Sequence, residues 1–278
     1  MSVLSQTTLA KKISFSGIGI HTGAPVNLNV LPSSPNSGII FKRVDLPENN
    51  IIIPNFENVS DATLCTTISN QYGVKVSTIE HLMAAFLGLG IDNAIVELDS
   101  QEVPILDGSA KDFVKILKKA GLKESDIPIK LIKINNLIEY QEGNKYISLD
   151  KSNTTLEIEF EINYKNKFIQ KQTNKVNVFE DKLDDIFNSR TFCLYEDIEK
   201  LKKLGLGKGG SLENVIVVQD DKILNESGLR NQNEFVNHKI LDCMGDLYLV
   251  GYRLIGSLKC RHGGHSLTNK LLRKIFSD

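Results

Sequence analysis

Short alternating runs fill the first third of the chain. Residues 8–16, 26–30 and 39–43 alternate apolar and polar side chains between Gly, Pro, Ser and Asn turns, the pattern of half-buried strands. The period then changes. Leu82, Met83, Ala85, Phe86 and Leu89 recur at helical spacing and predict a helix over residues 78–89, capped by Ser77 or Thr78 with Glu80 in its first turn. A strand over 94–98, a loop ending in Asp107-Gly108-Ser109 and a helix over 110–120 follow.

The second half repeats that order. Strands at 146–149 and 155–162 precede a long helix at 233–250, a strand at 253–260, a loop ending Gly263-Gly264-His265 and a closing helix at 266–275. Gly121 ends the helix before the seam, polar residues and Pro128 follow, and a strand is expected over 129–134. The expected fold class is therefore α+β: two similar domains, 1–122 and 128–278, each pairing helices with one face of a mostly antiparallel sheet. One region has no counterpart in the first half. Residues 190–195 lead into a helix at 196–204 and then the run Gly205-Leu206-Gly207-Lys208-Gly209-Gly210-Ser211, a glycine-rich insertion of the kind that often forms functional loops. Its glycine spacing fits neither a Walker A loop nor a dinucleotide fingerprint.

Composition narrows the class. At 278 residues and 41% apolar content the chain can bury a substantial core, and a net charge of -1 argues against a nucleic-acid binder. The most apolar stretches, 82–91 and 247–255, are too short to span a bilayer, and no signal-like segment opens the chain. Four cysteines without a CxxC pair read as reduced thiols, so a cytoplasmic location is expected.

Candidate chemistry lies in two places. His238, Asp242 and Asp246 are spaced by four, so on a helix they share one face. The ordinary alternative is a polar pair that merely stabilises a helix surface. Far upstream, Glu80-His81 supplies another imidazole with a carboxylate beside it. His81, His238 and Asp242 would give two nitrogens and one oxygen, the three protein ligands of a catalytic zinc site with an open fourth position. Iron(II) suits the same set, because affinity order alone does not fix metal identity. Glu80 is placed to take a proton from the activated water, although a Glu in a first helical turn also simply favours the dipole. His265, at a loop-to-helix junction, can donate a proton or stabilise an oxyanion, with Asp246 orienting it; capping or exposure is its ordinary alternative. Lys239 would flank the metal rather than bind it.

At this point the chain resembles the zinc-dependent UDP-3-O-acyl-N-acetylglucosamine deacetylases of lipid A biosynthesis. The resemblance is carried by residues 77–82, by His238-Lys239-Ile240-Leu241-Asp242 with Gly245-Asp246, and by Gly264-His265. Further matches are residues 17–23, 104–108, 189–192, 209–211 and 224–226, in order along nearly the whole chain. It implies two similar α+β sandwiches with an insert in each domain. It implies zinc on His81, His238 and Asp242, water activation by Glu80, and a cationic His265 supported by Asp246. It gives Thr191 a hydrogen bond to the oxyanion and places Phe192 and Lys239 against the sugar-nucleotide. It makes the insert near 190–215 a βαβ-like passage for the acyl chain, with Leu194, Leu204 and Leu206 as wall residues, whose ordinary alternative is the core of a small subdomain, and Gly210 as a further substrate contact. It further implies a monomer in a Gram-negative bacterium, hydrolysing the acetamide of its substrate at the committed step of lipopolysaccharide lipid A synthesis. Residues 163–170 lack the His-Pro common in the family, and Arg261-His262 stands where a lysine is common, so the diphosphate contacts stay unassigned. The competing readings are a zinc hydrolase for another amide, a silent sugar-nucleotide-binding module and an RNA-binding relative.

Overall fold

The computed structural model describes residues 4–276. Two larger sheets carry the architecture. The first runs, in spatial order, through strands Ile13–Ile18, Pro25–Pro32, Ala94–Leu98, Ile39–Arg43 and Ile51–Ile52. The second runs through Ile138–Glu142, Lys145–Asp150, Arg253–Arg261, Leu156–Asn163 and Lys171–Asn177, with Leu131–Lys133 added beside Arg253–Arg261. The five-strand order and the sense of every pairing are the same in both. Each central strand lies parallel to one neighbour and antiparallel to the other, and the outer pairs are antiparallel. The result is a mixed, mainly antiparallel α+β sandwich.

Among the described residues six α-helices complete it: α1 (Glu80–Leu89), α2 (Lys111–Ala120), α3 (Asp184–Phe187), α4 (Tyr195–Lys203), α5 (Glu234–Leu247) and α6 (His265–Ile275). Helix α5 packs on the second sheet and against α1, and α6 packs on α5 and on the outer strands of that sheet. From Glu80 to Leu87 every side chain of α1 is buried, and α5 is buried everywhere except at Lys239. Beyond Glu80 and His81, α1 is apolar on nearly all faces, as befits a helix in an interior, whereas α5 buries several polar side chains as well. Leu82, Phe86, Phe235, Val236, Ile240 and Leu241 are fully enclosed, at about 1.5–3 kcal/mol for each large side chain. That burial offsets the cost of the polar groups the same two helices bring inside.

Three local expectations are corrected, and one small sheet is added. The run 8–16 breaks at residues 10–12 into two strands, Ser5–Leu9 and Ile13–Ile18. The seam is itself a strand, Leu122–Pro128, paired antiparallel with Ser5–Leu9. Neither Ser77 nor Thr78 caps α1: Ile79 is the N-cap, and the two hydroxyls are donated to the Gln101 carbonyl and Glu102. The first half also carries a small sheet of its own, Val59–Asp61, Thr67–Ser69 and Lys75–Val76. In the glycine-rich insertion, Phe192–Leu194, α4 and the parallel strand Ile216–Gln219 form a βαβ unit extended by Lys222–Ile223. No described helix is long and apolar enough to cross a membrane.

Candidate metal centre and cleft

Helices α1 and α5 meet at Gly245. A Cβ there would lie 2.0 Å from the Glu80 carbonyl oxygen, so only glycine allows this approach. The crossing sets His81 of α1 opposite His238 and Asp242 of α5. One ligand atom from each of these three residues lies within 4.8 Å of the others, the only such His/Cys/Asp/Glu cluster among the described residues. Asp242 Oδ1 stands 3.4 Å from His81 Nε2 and 3.3 Å from His238 Nε2. Neither contact has hydrogen-bond geometry, and the oxygen is buried without a donor.

An orphaned carboxylate oxygen in a core is costly unless something positive meets it. Two imidazole nitrogens and that oxygen are a donor set for a divalent cation, so the residues fit a metal. The His238 ring is oriented from behind: Nδ1 lies 3.0 Å from the Ser189 carbonyl and donates to it, which leaves Nε2 facing the cluster. Burial lowers the His238 imidazole to about 3 and keeps it neutral. Burial would favour the acid form of Asp242, but the imidazoles and the Lys239 ammonium outweigh it and hold the carboxyl well below its usual range. Burial also disfavours the Lys239 cation, yet Asp242, 2.5 Å away, keeps it charged.

Glu80 and His265 flank the cluster. Burial raises the Glu80 carboxyl against the opposing charges of His265 and His81, and Glu80 Oε2 accepts the Thr66 N–H at 3.0 Å. His265 begins α6. Its Nδ1 is 2.7 Å from Asp246 Oδ2, and its Nε2 is 3.9 Å from Asp242 Oδ2. Burial would lower the imidazole, but Asp246, with help from Asp242 and Glu80, raises it to about 9. The site therefore pairs a carboxylate readied to accept a proton with an imidazolium readied to give one, the separation that acid–base chemistry needs.

A cleft of about 140 Å³ opens onto these groups. Of the residues singled out from sequence, Glu80, His81, Thr191, Phe192, His238, Lys239, Asp242 and His265 line it. Asp246 lies behind His265, while Leu194, Leu206 and Gly210 lie outside the cleft in the βαβ insertion, with Leu204 71% exposed. Phe192 packs edge-on against Phe235 and Tyr164, with ring centroids 5.0 and 5.7 Å away. Larger recesses of about 280 and 620 Å³ elsewhere contain no such cluster, so chemistry rather than size marks the site.

Sequence reasoning missed several members. Thr66 donates its hydroxyl to Asp246 and its N–H to Glu80, linking the two carboxylates. His21, Cys65, Thr78 and Tyr164 also line the cleft. His21 lies in the run of residues 17–23 already noted, and that run was the one available signal for it.

The comparisons with known proteins agree with this geometry. The profile of the family described as UDP-3-O-acyl N-acetylglycosamine deacetylase matches residues 6–277. The UDP-3-O-acyl-N-acetylglucosamine deacetylase of Histophilus somni is 41% identical over 279 aligned residues, covering 99% of this chain and 91% of the relative. Those of Haemophilus influenzae and Actinobacillus pleuropneumoniae are 40% and 39% identical over the same shares. A match of this extent leaves one assignment: the chain belongs to the UDP-3-O-acyl N-acetylglycosamine deacetylase family and is a deacetylase.

Proposed function

We propose that the protein is a zinc-dependent amidase that removes the acetyl group from UDP-3-O-(3-hydroxyacyl)-N-acetylglucosamine, the committed step of lipid A biosynthesis. The observation that carries this reading is the buried, donorless Asp242 oxygen facing two imidazole nitrogens beside Glu80 and His265. His81, His238 and Asp242 would hold the metal, with zinc the first choice and iron(II) the second. When bound, the cation supplies a lowered water pKa and Lewis-acid polarisation of the amide carbonyl.

The protein groups divide the remaining work. Glu80, fixed through the Thr66 N–H, takes the proton of the attacking water. Thr191 donates to the oxyanion that develops as the acetyl carbonyl is attacked. His265, held by Asp246 and charged below about pH 9, gives its proton to the sugar nitrogen as the C–N bond breaks. The products are acetate and the free amine. Lys239 and Phe192 lie on the side where the sugar-nucleotide would sit, and the βαβ insertion, through Leu194, Leu206 and Gly210, receives the acyl chain. Residues 1–122 and 128–278 are read as the two structural units that meet at the site, in a cytoplasmic monomer that does not bind nucleic acid.

The deciding experiment is metal analysis of the purified protein coupled to acetate release from the 3-O-acylated substrate. One bound zinc or iron per chain with metal-dependent acetate release is expected. Acetate release that survives complete metal removal would refute the reading.

A further inference from the structure

We propose that Glu102 is a positioning residue that joins the two walls of the cleft, setting Glu80 and His81 on one side and the bed of the βαβ insertion on the other. It rests on the amidase reading above. Glu102 is 0% exposed, and its carboxylate accepts four hydrogen bonds from two separate segments. Oε1 accepts the His21 N–H and the Thr78 hydroxyl, both at 2.9 Å. Oε2 accepts the Thr22 N–H at 2.8 Å and the Thr22 hydroxyl at 2.6 Å. A buried carboxylate so fully saturated is a fixed structural joint.

One arm runs to the metal side. Thr78 sits at φ 56°, a left-handed conformation that is costly for a β-branched residue, about 1–3 kcal/mol. Its hydroxyl bond to Glu102 and the pairing of Ser77 with residues 101–103 hold the chain there. Two residues later α1 begins with Glu80 and His81. The direction in which the base and the first metal ligand enter the cleft is thus set by a turn that Glu102 secures.

The other arm runs to the insertion. Gly19 must lack a side chain because a Cβ would lie 2.2 Å from Glu102 Oε2. The same loop then accepts the insertion by backbone bonds, Gly209 N–H to the Ile20 carbonyl at 3.0 Å and Lys208 N–H to the His21 carbonyl at 3.3 Å. A Cβ on Gly209 would lie 2.2 Å from the Gly19 carbonyl oxygen, so the two glycine turns are in direct backbone contact. Ile20 and His21 of this loop line the cleft.

The arms can be cut separately. Thr78→Val keeps the branched shape and removes the hydroxyl that reaches Oε1 and the Cys65 thiol; Thr22→Val removes the hydroxyl that reaches Oε2 and accepts the Ala24 N–H at 3.3 Å. Glu102→Gln keeps size but sets an amide NH2 against either the His21 or the Thr22 backbone N–H, a clash no rotation removes. Each variant is compared with wild type for zinc release to a chromogenic chelator and for kcat and KM on long-chain and short-chain 3-O-acyl substrates. Thr78→Val should release zinc faster and lose kcat on the order of tenfold on both substrates, the size of one buried hydrogen bond, with Thr78→Ser restoring both. Thr22→Val should raise KM for the long-chain substrate about fivefold more than for the short one and leave zinc release at the wild-type rate. Glu102→Gln should show both defects. Identical profiles for the two valine variants, or no rescue by Thr78→Ser, would mean that Glu102 only holds the fold and overturn the proposal. If wild type releases no acetate from either substrate, the amidase reading fails instead, and the chelator rates alone then judge the Thr78 arm.

Discussion

Gly245→Ala tests whether the contact of α1 with α5 sets the chemistry. The new Cβ would meet the Glu80 carbonyl oxygen at 2.0 Å, about 1.4 Å short of the 3.4 Å at which ordinary contact begins, with Glu80 C at 2.7 Å and Cα at 2.9 Å. These are backbone atoms of a buried helix and cannot rotate away. The helices must separate by roughly an ångström, and overpacking of this kind costs about 1–3 kcal/mol. Replacing a helical glycine by alanine returns about 1 kcal/mol of propensity, which is the smaller effect. A net loss of up to about 2 kcal/mol corresponds to a Tm lower by up to about 8 °C for a chain of this size. Activity should suffer more than stability. Glu80 and His81 ride on α1 while Asp242 and Asp246 ride on α5, and an ångström of misplacement costs on the order of 10² in rate. Calorimetry, metal content and acetate release on the same preparation give the answer. A variant with wild-type kcat and wild-type Tm would show that the crossing at Gly245 does not fix the position of the base.

The other expectations concern the groups in the cleft. His81→Ala, His238→Ala and Asp242→Ala should each lose bound metal and turnover together, because a three-ligand site has no spare donor; elemental analysis with near-stoichiometric metal and a normal rate removes that residue from the set. Glu80→Ala should keep its metal and lose rate by about 10² or more. The wild-type rate should rise with pH as Glu80 loses its proton, at a pH above the ordinary glutamate range, and fall as His265 deprotonates near pH 9. Glu80→Ala should lack the acidic limb, and its persistence would assign that limb to another group. A charged residue at Leu206 or Gly207 should raise KM for a long-chain substrate far more than for a short one, since each buried CH2 is worth roughly 0.8 kcal/mol; equal effects on both would place the acyl chain elsewhere.

The parts of this site that could be read from sequence are those whose signal is local. Spacing by four put His238, Asp242 and Asp246 on one face, and adjacency linked Glu80 to His81. Thr66 gave no such signal, because it reaches Asp246 and His265 across 180 and 199 residues of chain. Glu102 escaped for the same reason, and Gly245, though part of the matched motif, had no role assigned: one is a carboxylate in a loop, the other a helical glycine, and only the packed partner gives either a meaning. Burial explains the errors in the fold. The strand Leu122–Pro128 is exposed along nearly its whole length, so it shows no apolar alternation and looks like a polar linker. The small sheet around Thr67–Ser69 is built from strands of two or three residues, too short for a period to register. The cap on α1 was misassigned because the Thr78 hydroxyl is drawn away to Glu102, a partner 24 residues on.

Why the site should lie on the two most deeply buried helices follows from what it must hold. Glu80, His81, His238, Asp242, Asp246 and His265 are all buried polar groups, and each would be costly alone. Together they satisfy most of one another's needs: Asp246 serves His265, Thr66 serves both Asp246 and Glu80, and the Ser189 carbonyl serves His238. Among the described residues, the buried side-chain atoms left unmet are Asp242 Oδ1, with the two Nε2 atoms around it, and the Nδ1 atoms of His81 and His21. An apolar shell that excludes water strengthens each of these electrostatic contacts and keeps the side chains in single rotamers. The Asp242 oxygen is therefore held at a fixed place between α1 and α5, where a cation would complete the network and where neither helix alone supplies all three donors.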